Sequence, residues 1–363
     1  MIFQFAVSII LIIGTLLIHT QLQFIRKKGL GFEKENLLIL PLTTETLRAK
    51  NAILKSELLN IPAIMNITAS SDFPSQGFES NGYLPQGFHS WIFLHVVDAD
   101  EDFLKTYRIP LISGKYFSED LATDNNAFLI NETGAQLIGW DNPIGKYIHR
   151  NGDHAIIGVV KDFHFSSMHQ KIAPLVITNR PEYGNFRYLS LRLTAGNLPD
   201  IISQIKHRWH KIVPAEPFEY FFFDEALDQL YKTEAHFRRL FFDSSLISII
   251  IAVMGLFSLV SLSTEYRKKE IGIRKALGAS VLNITRLVSK EFVIAVLAAN
   301  AIAWPVAFYI GNKWLEYFAY RINMHWWIFV LSGTLALLIA LLAVSWQAIR
   351  AATANPVEAL RYE

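Results

Sequence analysis

Long apolar stretches separated by polar chain are the dominant pattern of this sequence. Residues 1–18, 246–262, 292–310 and 327–349 contain no charged side chain. Each stretch comes close to the ~20 residues that a helix needs to cross ~30 Å of hydrocarbon. Soluble helices rarely carry apolar residues on every face over such lengths. The pattern therefore predicts transmembrane helices rather than the buried helices of a large soluble core.

These stretches divide the chain into membrane spans, one large polar region and short connections. The predicted fold class is a membrane protein of four transmembrane α-helices, with a large α+β extracytoplasmic domain inserted between helices 1 and 2. The predicted transmembrane helices are residues 1–20, 241–263, 291–311 and 327–349. Between and after them we predict an extracytoplasmic domain at 21–240, a cytoplasmic coupling loop at 264–290, a short extracytoplasmic loop at 312–326 and a cytoplasmic tail at 350–363.

The large polar region alternates between strand and helix patterns. Strands are predicted at residues 37–42, 64–69, 91–97, 127–130, 155–160 and 218–223. Helices are predicted at 102–107, at 198–212 and at 46–59, where Ile53, Leu54, Leu58 and Leu59 share one face. A stretch rich in Gly, Ser, Pro and Asn at 70–87 predicts a loop and a subdomain insertion at about residues 70–150. A last helix is predicted to run from Asp224 without interruption into the second span.

Positive charge in the loops predicts the orientation in the membrane. The loop between spans two and three carries Arg267, Lys268, Lys269, Arg274, Lys275, Arg286 and Lys290. Short basic loops remain in the cytoplasm, whereas long domains cross the membrane largely regardless of their charge. The loop therefore outweighs the basic cluster at residues 26–28, and both termini are predicted to be cytoplasmic.

The composition excludes several functional classes. The chain has no cysteine and a formal net charge of +2, without the dense Lys/Arg block of a nucleic-acid-binding protein. It contains no phosphate-binding loop, dinucleotide fingerprint, zinc-protease motif or nucleophile elbow. We therefore predict neither an enzyme nor a cofactor or nucleic-acid site. The charge-free spans also disfavour an ion-coupled carrier or a channel.

One segment of the polar region offers metal-ligand residues, namely Asp162, His164 and His169 within residues 159–174. Three such groups in one loop are a weak signal for a metal site. We interpret the segment as a structured surface turn and predict no metal ion.

The strongest functional signal is the charged segment EYRKKEIGIRKALGAS, which directly follows the second span. Glu270 and Arg274 have the i,i+4 spacing of a helical ion pair, worth only ~0.3–0.5 kcal/mol, so helix stability alone does not explain so many charges. Ile271, Ile273 and Leu277 would supply apolar anchors, and Gly278 would end the helix. The two interpretations are a solvated basic loop and a coupling helix that docks on a soluble partner.

This segment, followed after the fourth span by ANPVEALRYE, resembles the FtsX-like/MacB-like permease family of ABC transporters. The segments GVVKDFHFSS and AWPVAFYIGNKWLEYFAYRI resemble the branch found as tandem halves in larger permeases. The resemblance implies a MacB-like periplasmic core domain and a cytoplasmic loop that couples to an ATPase. The implied coupling residues are Glu265, Arg267, Lys268, Lys269, Glu270, Ile271, Gly272, Arg274, Lys275, Leu277 and Gly278, and the implied C-terminal motif is Asn355, Pro356, Glu358, Leu360 and Arg361.

The resemblance also implies a function and a set of partners. The chain would be the permease subunit of an ABC transporter in the bacterial inner membrane, transmitting ATP-driven motion to its outer domain. The cargo would be of peptide, antibiotic or lipoprotein type. ATP would be bound by a separate ABC ATPase subunit, and a second permease copy or half, membrane lipids and a periplasmic adaptor would be further partners. The alternative is a membrane-anchored sensor or scaffold whose outer domain binds a ligand.

The chain departs from the larger members of the family in two ways. It carries no fused ATPase domain, and it holds one four-span repeat instead of two. The first span begins at Met1 without a cytoplasmic flank, so we expect either the C-terminal half of a longer permease or a shortened reading frame.

Overall fold

A computed structural model describes residues 1–118, 126–179, 186–267, 270, 273–274 and 277–353 of the chain. The chain divides into two compact units. One comprises Met1–Lys27 and the chain from Thr233 onward, and the other is Lys28–Lys232.

The described helices and strands follow one another in a mixed order along the chain. The helices are α1 Ile2–Lys27, α2 Glu45–Ala49, α3 Asn51–Leu59, α4 Phe103–Tyr107, α5 Glu132–Ile138, α6 Leu198–Ile212, α7 Phe223–Leu230, α8 Lys232–Tyr266, α9 Val281–Leu315 and α10 Trp326–Thr353. The strands are β1 Leu37–Pro41, β2 Ile64–Ser70, β3 Glu79–Pro85, β4 Ile92–Asp98, β5 Leu111–Gly114, β6 Ala127–Asn131, β7 Tyr147–His149, β8 Asp153–Val160, β9 Leu175–Thr178, β10 Tyr188–Leu193 and β11 Phe221–Phe222.

The first unit contains the long apolar helices. Among the described residues, α1, α8, α9 and α10 are long and apolar enough to cross a membrane, which confirms the four predicted spans. The helices extend beyond the apolar stretches: α1 continues to Lys27, and α8 begins at Lys232. Polar residues at these ends continue the helix past the hydrocarbon-length segment.

Small side chains on α9 allow its neighbours to pack closely. Ala299, Ala303 and Ala307 recur every four residues, hence on one face, and all three are buried. Gly311 continues the stripe, and a Cβ there would lie only 2.9 Å from Leu17 of α1. Ala336 and Ala340 form a matching buried stripe on α10. In lipid, association of helices depends on such close packing because apolar burial supplies little driving force.

Several buried polar groups of this unit are paired. Gln21 of α1 is fully buried, and its side chain donates to the carbonyl of Tyr320 at 2.9 Å. The same side chain accepts from the amide of Ile322 at 3.0 Å, which fixes the connection between α9 and α10 to α1. Ser8 of α1 and Ser248 of α8 share a hydrogen bond of 2.7 Å. Such pairing is stabilising because an unpaired polar group in hydrocarbon is costly.

The second unit contains two β-sheets. The first sheet has the strand order β11-β1-β10-β2 in the described part of the chain, and its strands pair antiparallel. Helices α3 and α6 pack on it, and Leu54, Leu58 and Trp209 are buried with the strand residues Leu38 and Leu40.

Arg192 of β10 is the buried charge of this sheet, with 3% of its surface exposed. Its guanidinium donates to the carbonyl oxygens of Glu33 at 2.6 Å, Glu35 at 3.1 Å and Thr106 at 2.5 Å. Because Arg has five N–H donors in a fixed fork, one side chain fixes both the segment after α1 and the end of α4.

The second sheet closes into a barrel. Its strand order is β5-β8-β6-β9-β4-β3-β7 among the described residues, and β7 also pairs with β8. Residues 153–155 of β8 pair with β7 and residues 158–160 pair with β5, so both strands lie along one edge of β8. The apolar core of the barrel contains Tyr83, Leu94, Phe128, Ile130 and Ile156, all buried.

Several predictions for this unit are wrong in detail. The stretch 70–87 is not a continuous loop, because β3 forms within it and pairs with β4 and β7. The predicted strand at 218–223 is reduced to Phe221–Phe222. The second sheet draws its strands from residues 79–178, which extends well past the predicted insertion boundary at about residue 150.

The predicted helix at 46–59 is two helices separated at Lys50, whose φ and ψ of −96° and 9° are not helical. The buried side chains are Leu47, Leu54 and Leu58, spaced by seven and four residues. Ile53 and Leu59, predicted to share the buried face, are 54% and 40% exposed. The buried positions therefore follow i, i+7 and i+11 and not adjacent pairs.

The helix predicted to run continuously from Asp224 is also interrupted. Helix α7 ends at Leu230 and α8 begins at Lys232, with Tyr231 between them at φ −108° and ψ 18°. The Tyr231 side chain is buried, and its hydroxyl accepts the amide of Met168 at 2.9 Å. The break thus coincides with a side chain held in the interior of the domain.

Replacing Ala303 by Leu should destabilise the helical unit by about 1–3 kcal/mol, because the larger side chain has no space in the buried stripe. The matched control is Ala301→Leu, since Ala301 is exposed on the same helix. Thermal unfolding of the detergent-solubilised chain measures both. Equal melting temperatures for the two variants would contradict the proposed role of the stripe.

Candidate functional site

The connection between α8 and α9 is the candidate functional site. Helix α8 ends at Tyr266 and α9 begins at Val281. We name the described residues between positions 264 and 280 the elbow. Helical backbone is present in the described part of this connection at Glu270, Ile273 and Arg274.

A Schellman motif ends the helical turn of the elbow. The amide of Leu277 donates to the carbonyl of Ile273 at 3.0 Å, and the amide of Ala279 donates to that of Arg274 at 2.9 Å. Gly278 has φ +86°, a conformation that strains any residue with a Cβ. The turn therefore ends where the sequence predicts it to end.

The next helix begins almost at once. Ser280 is the N-cap of α9, and its side chain accepts the amide of Asn283 at 3.3 Å. Since an N-cap of this type satisfies one free amide of the first helical turn, local hydrogen bonding defines where α9 begins. Only Ala279 separates the end of the turn from this cap.

Two ion pairs organise the charges of the elbow. Glu270 and Arg274 lie 2.8 Å apart, as the i,i+4 spacing predicts, and their side chains are 44% and 46% exposed. Arg267 contacts Glu291 of α9 at 2.5 Å. Exposed pairs contribute about 0–1 kcal/mol at most. Their main effect is to orient charged groups on a surface that water reaches.

Large apolar side chains are exposed beside these charges. Tyr266 is 86% exposed, Leu277 is 82% exposed and Ile273 is 53% exposed. Large apolar side chains exposed close in sequence to charged residues are candidate contacts for a partner. The elbow thus combines apolar contact area with oriented charge of both signs.

The structure describes part of the predicted site. Glu265, Arg267, Glu270, Arg274, Leu277 and Gly278 lie in the elbow. The other predicted residues lie outside the described residues: Lys268, Lys269, Ile271, Gly272 and Lys275, and the C-terminal residues Asn355, Pro356, Glu358, Leu360 and Arg361. Sequence reasoning did not identify Tyr266 or Glu291. The only sequence signal for Tyr266 is that an aromatic residue stands at the start of a charged loop. Glu291 lies within the helix that follows this loop.

The three residues of the weak metal pattern make separate contacts in the structure and do not form one cluster. Asp162 accepts from the side-chain amide of Asn131 at 2.8 Å and from the hydroxyl of Thr133 at 2.6 Å. His169 stacks against Tyr231 with the ring centroids 6.1 Å apart. Among the described residues, no three His, Cys, Asp or Glu side chains are placed to hold a metal ion together.

His164, the remaining member of that pattern, is only 6% exposed. Burial, together with the positive charge of Lys28, lowers the pKa of the imidazole to about 4. The ring is therefore neutral in the folded domain at neutral pH, as part of the interior.

The chain is similar to one protein family and to several known permeases. Residues 244–356 match the family described as FtsX-like permease C-terminal. The macrolide export ATP-binding/permease protein MacB 2 of Aeromonas hydrophila is 26% identical over 283 residues, covering 74% of this chain and 43% of that protein. The uncharacterized ABC transporter permease YknZ of Bacillus subtilis is 24% identical over 278 residues, covering 73% of this chain and 69% of that protein.

Among solved structures, the periplasmic region of MacB from Actinobacillus actinomycetemcomitans has a TM-score of 0.41 at 13% identity, covering 55% of this chain and 94% of that chain. The chain spans less than half the length of the MacB relatives that it matches. The family match and the relatives confirm the resemblance to FtsX-like and MacB-like permeases that the sequence motifs predict.

Acidification should destabilise the domain through His164. Its pKa is depressed in the folded state, so stability is full above the unfolded value of about 6.5 and is lost as the pH falls toward 4; the loss at pH 5 is about 2 kcal/mol. Replacement by Gln should reduce this pH dependence. The exposed His210 provides the control, His210→Gln. Thermal melting at about pH 7.5 and about pH 5 tests this, and an unchanged dependence in His164→Gln would refute it.

Proposed function

We propose that this chain, an ABC transporter permease of the FtsX/MacB type, transmits ATP-driven motion of a separate ATPase subunit to its α+β domain. The elbow is the proposed docking site for the ATPase. The chain itself performs no reaction in this proposal, and ATP is bound by the partner. The cargo is of peptide, antibiotic or lipoprotein type.

The observation that carries the proposal is the exposure of Tyr266, Ile273 and Leu277 beside the Glu270–Arg274 pair. A soluble partner could bury these apolar side chains, and the oriented charges would select the correct partner and its register. A solvated loop whose only role is to mark the cytoplasmic side has no need of exposed large apolar side chains.

Two long helices flank the elbow. Helices α8 and α9 have 35 residues each, which corresponds to about 50 Å at the helical rise of ~1.5 Å per residue. The hydrogen-bonded end at Gly278 and the cap at Ser280 leave little free chain between the turn and α9. Displacement of the elbow would therefore pass into both helices.

The spans themselves favour transmission over conduction. Their apolar stretches contain no charged residue that could line an ion pathway. Alanine stripes pack α9 against its neighbours, and packed interfaces move as units instead of deforming continuously. We accordingly propose that cargo is handled by the outer domain and not passed along a polar channel.

The proposed setting is the bacterial inner membrane, with both termini in the cytoplasm and the domain on the outer side. The basic residues of the elbow support this orientation. The proposed partners are the ABC ATPase, a second permease copy or half that matches a dimeric ATPase, membrane lipids and a periplasmic adaptor.

Affinity capture of the tagged chain from native membranes in mild detergent tests the proposal. Co-purification of an ABC ATPase in roughly equal amount, with ATP hydrolysis, is the expected result. Recovery of a signalling protein without an ATPase would instead favour the sensor or scaffold.

Charge reversal separates docking from local structure in the elbow. Glu270→Arg and Arg274→Glu should each weaken ATPase association by about tenfold, because each reverses a charge presented to the partner. The double variant restores the i,i+4 ion pair with its direction reversed. If these residues only stabilise the helix, the double variant should bind the ATPase normally; if they face the ATPase, it should remain defective. Arg286→Glu, at an exposed position on α9, is the control for net charge.

Leu277 provides an uncharged test of the same surface. Leu277→Ser should weaken ATPase association by about tenfold or more if the side chain fills an apolar pocket on the partner. Its melting temperature should stay close to that of the unmodified chain, since the side chain is 82% exposed. Normal association of this variant, measured by the same capture assay, would remove Leu277 from the docking surface.

A further inference from the structure

One loop of the domain contacts both chain segments that connect the domain to the membrane helices. It follows β8 and comprises residues 161–169; we name it the clasp loop. The entry segment, residues 28–32, comes directly after α1, and the exit segment, residues 223–231, directly precedes α8. All contacts described below lie within the Lys28–Lys232 unit.

On the entry side, the backbone of the clasp loop lies directly against the chain. The amide of His164 donates to the carbonyl of Leu30 at 2.7 Å. Gly31 has φ +84°, and a Cβ there would lie 2.6 Å from the carbonyl oxygen of Asp162 and 2.7 Å from the Cα of Phe163. Because both neighbours are backbone atoms, they cannot yield by changing rotamer, and only glycine fits.

On the exit side, the clasp loop holds the residue at the helix break. The amide of Met168 donates to the hydroxyl of Tyr231 at 2.9 Å, and the ring of His169 stacks on the Tyr231 ring. Met168 is 1% exposed and Tyr231 is 6% exposed. The contact therefore lies in the interior, where loss of a hydrogen-bond partner is costly.

Aromatic rings join the two sides. Phe32 of the entry segment contacts Phe163 of the clasp loop and Phe223 of the exit segment edge-on, with centroid separations of 6.4 Å and 5.4 Å. Phe163 and Phe223 are fully buried. Entry segment, clasp loop and exit segment thus share one aromatic core, in which edge-to-face pairs add specific geometry to burial.

The clasp loop is also fixed to the barrel. Asp162 accepts the amide of Thr133 at 3.0 Å, at the start of α5. The amide of Lys161 donates to the carbonyl of Pro110 at 2.9 Å, and the carbonyl of Phe165 accepts from the amides of Ser75 and Gly77. Hydrogen bonds at Lys161, Asp162 and Phe165 thus hold the first half of the clasp loop as an extension of β8.

We propose that the clasp loop is the positioning element that makes the barrel follow the ends of α1 and α8. This proposal rests on the proposed function in one respect, namely that these helices move when the partner ATPase hydrolyses ATP. Any displacement of the entry or exit segment reaches the barrel through the backbone contacts of Gly31 and the buried contact of Tyr231. Gly31 and Tyr231 therefore act by position, without touching cargo or ATP.

The test uses the full chain, which lacks cysteine, so that introduced cysteines are the only labelling sites. Spin labels at Gly29→Cys, in the entry segment, and Lys146→Cys, on the barrel, report the distance between them; both positions are exposed. Gly31→Ala should broaden this distance distribution. Gly87→Ala, with φ +86° and no atom within 4 Å of the added Cβ, should leave it narrow.

Tyr231→Phe is a milder second variant that removes only the hydroxyl accepting the Met168 amide, in case Gly31→Ala does not fold. It should broaden the same distribution, and Tyr220→Phe, at a 40% exposed residue, should not. Broadening in a chain that still melts cooperatively distinguishes positioning from a simple loss of stability. Unchanged distributions in both test variants would overturn the proposal.

A second measurement tests whether the clasp loop is needed for ATP-dependent movement of the barrel. In the complex with the ATPase in lipid nanodiscs, a fluorophore at Lys146→Cys and a quencher on the lipid headgroups report movement of the barrel upon addition of ATP. Gly31→Ala should keep ATPase association and lose the ATP-dependent change, whereas Gly87→Ala should keep both. A full response in Gly31→Ala would overturn the proposal. Absence of any response in the parent chain would instead count against the proposed function, and the distance measurement would still decide the clasp loop.

Discussion

Close approach of helices through small side chains is the constraint on which the rest of the structure depends. In hydrocarbon, a leucine gains almost nothing by leaving lipid for a neighbouring helix, so contact must come from shape. The alanine stripe of α9 and the buried pair Ala336 and Ala340 of α10 provide that shape. Where a polar group is needed, as at Gln21, both its donor and its acceptor are used. A bundle built in this way is suited to moving as a body.

In the domain, buried backbone groups form hydrogen bonds that join segments distant in sequence. Arg192 holds three carbonyl oxygens from two segments, and the carbonyl of Phe165 accepts two amides from the loop between β2 and β3. These bonds link stretches far apart in sequence. They therefore make the domain cohesive in a way that local helix or strand preference cannot.

Sequence patterns predicted elements wherever local signals and tertiary packing agree. Helix α6 was predicted with the bounds that the structure shows, because its apolar period, its proline start and its burial coincide. Strand β3 was missed because its sequence is polar and turn-like, and its conformation is imposed by pairing with β4 and β7. The interruption at Tyr231 was missed for a similar reason, since a tyrosine carries no helix-breaking signal and its partner Met168 is distant in sequence.

In the candidate site, too, local features could be predicted from the sequence and tertiary contacts could not. Charge density and the glycine at position 278 identified the elbow and its end, because both are local signals. The pairing of Arg267 with Glu291 and the exposure of Tyr266 depend on tertiary placement, which no spacing in the sequence encodes.

The place where the barrel joins the first sheet has a consequence for how such a domain can change. Strand β2 ends at Ser70, which pairs with Tyr188, where β10 begins. The chain thus leaves for the barrel and returns from it at neighbouring positions on one ladder. A segment whose two ends lie side by side can be lengthened, shortened or exchanged with little disturbance to its host. The barrel is therefore a replaceable insertion in the first sheet, so that the same supporting sheet could carry barrels with different surfaces.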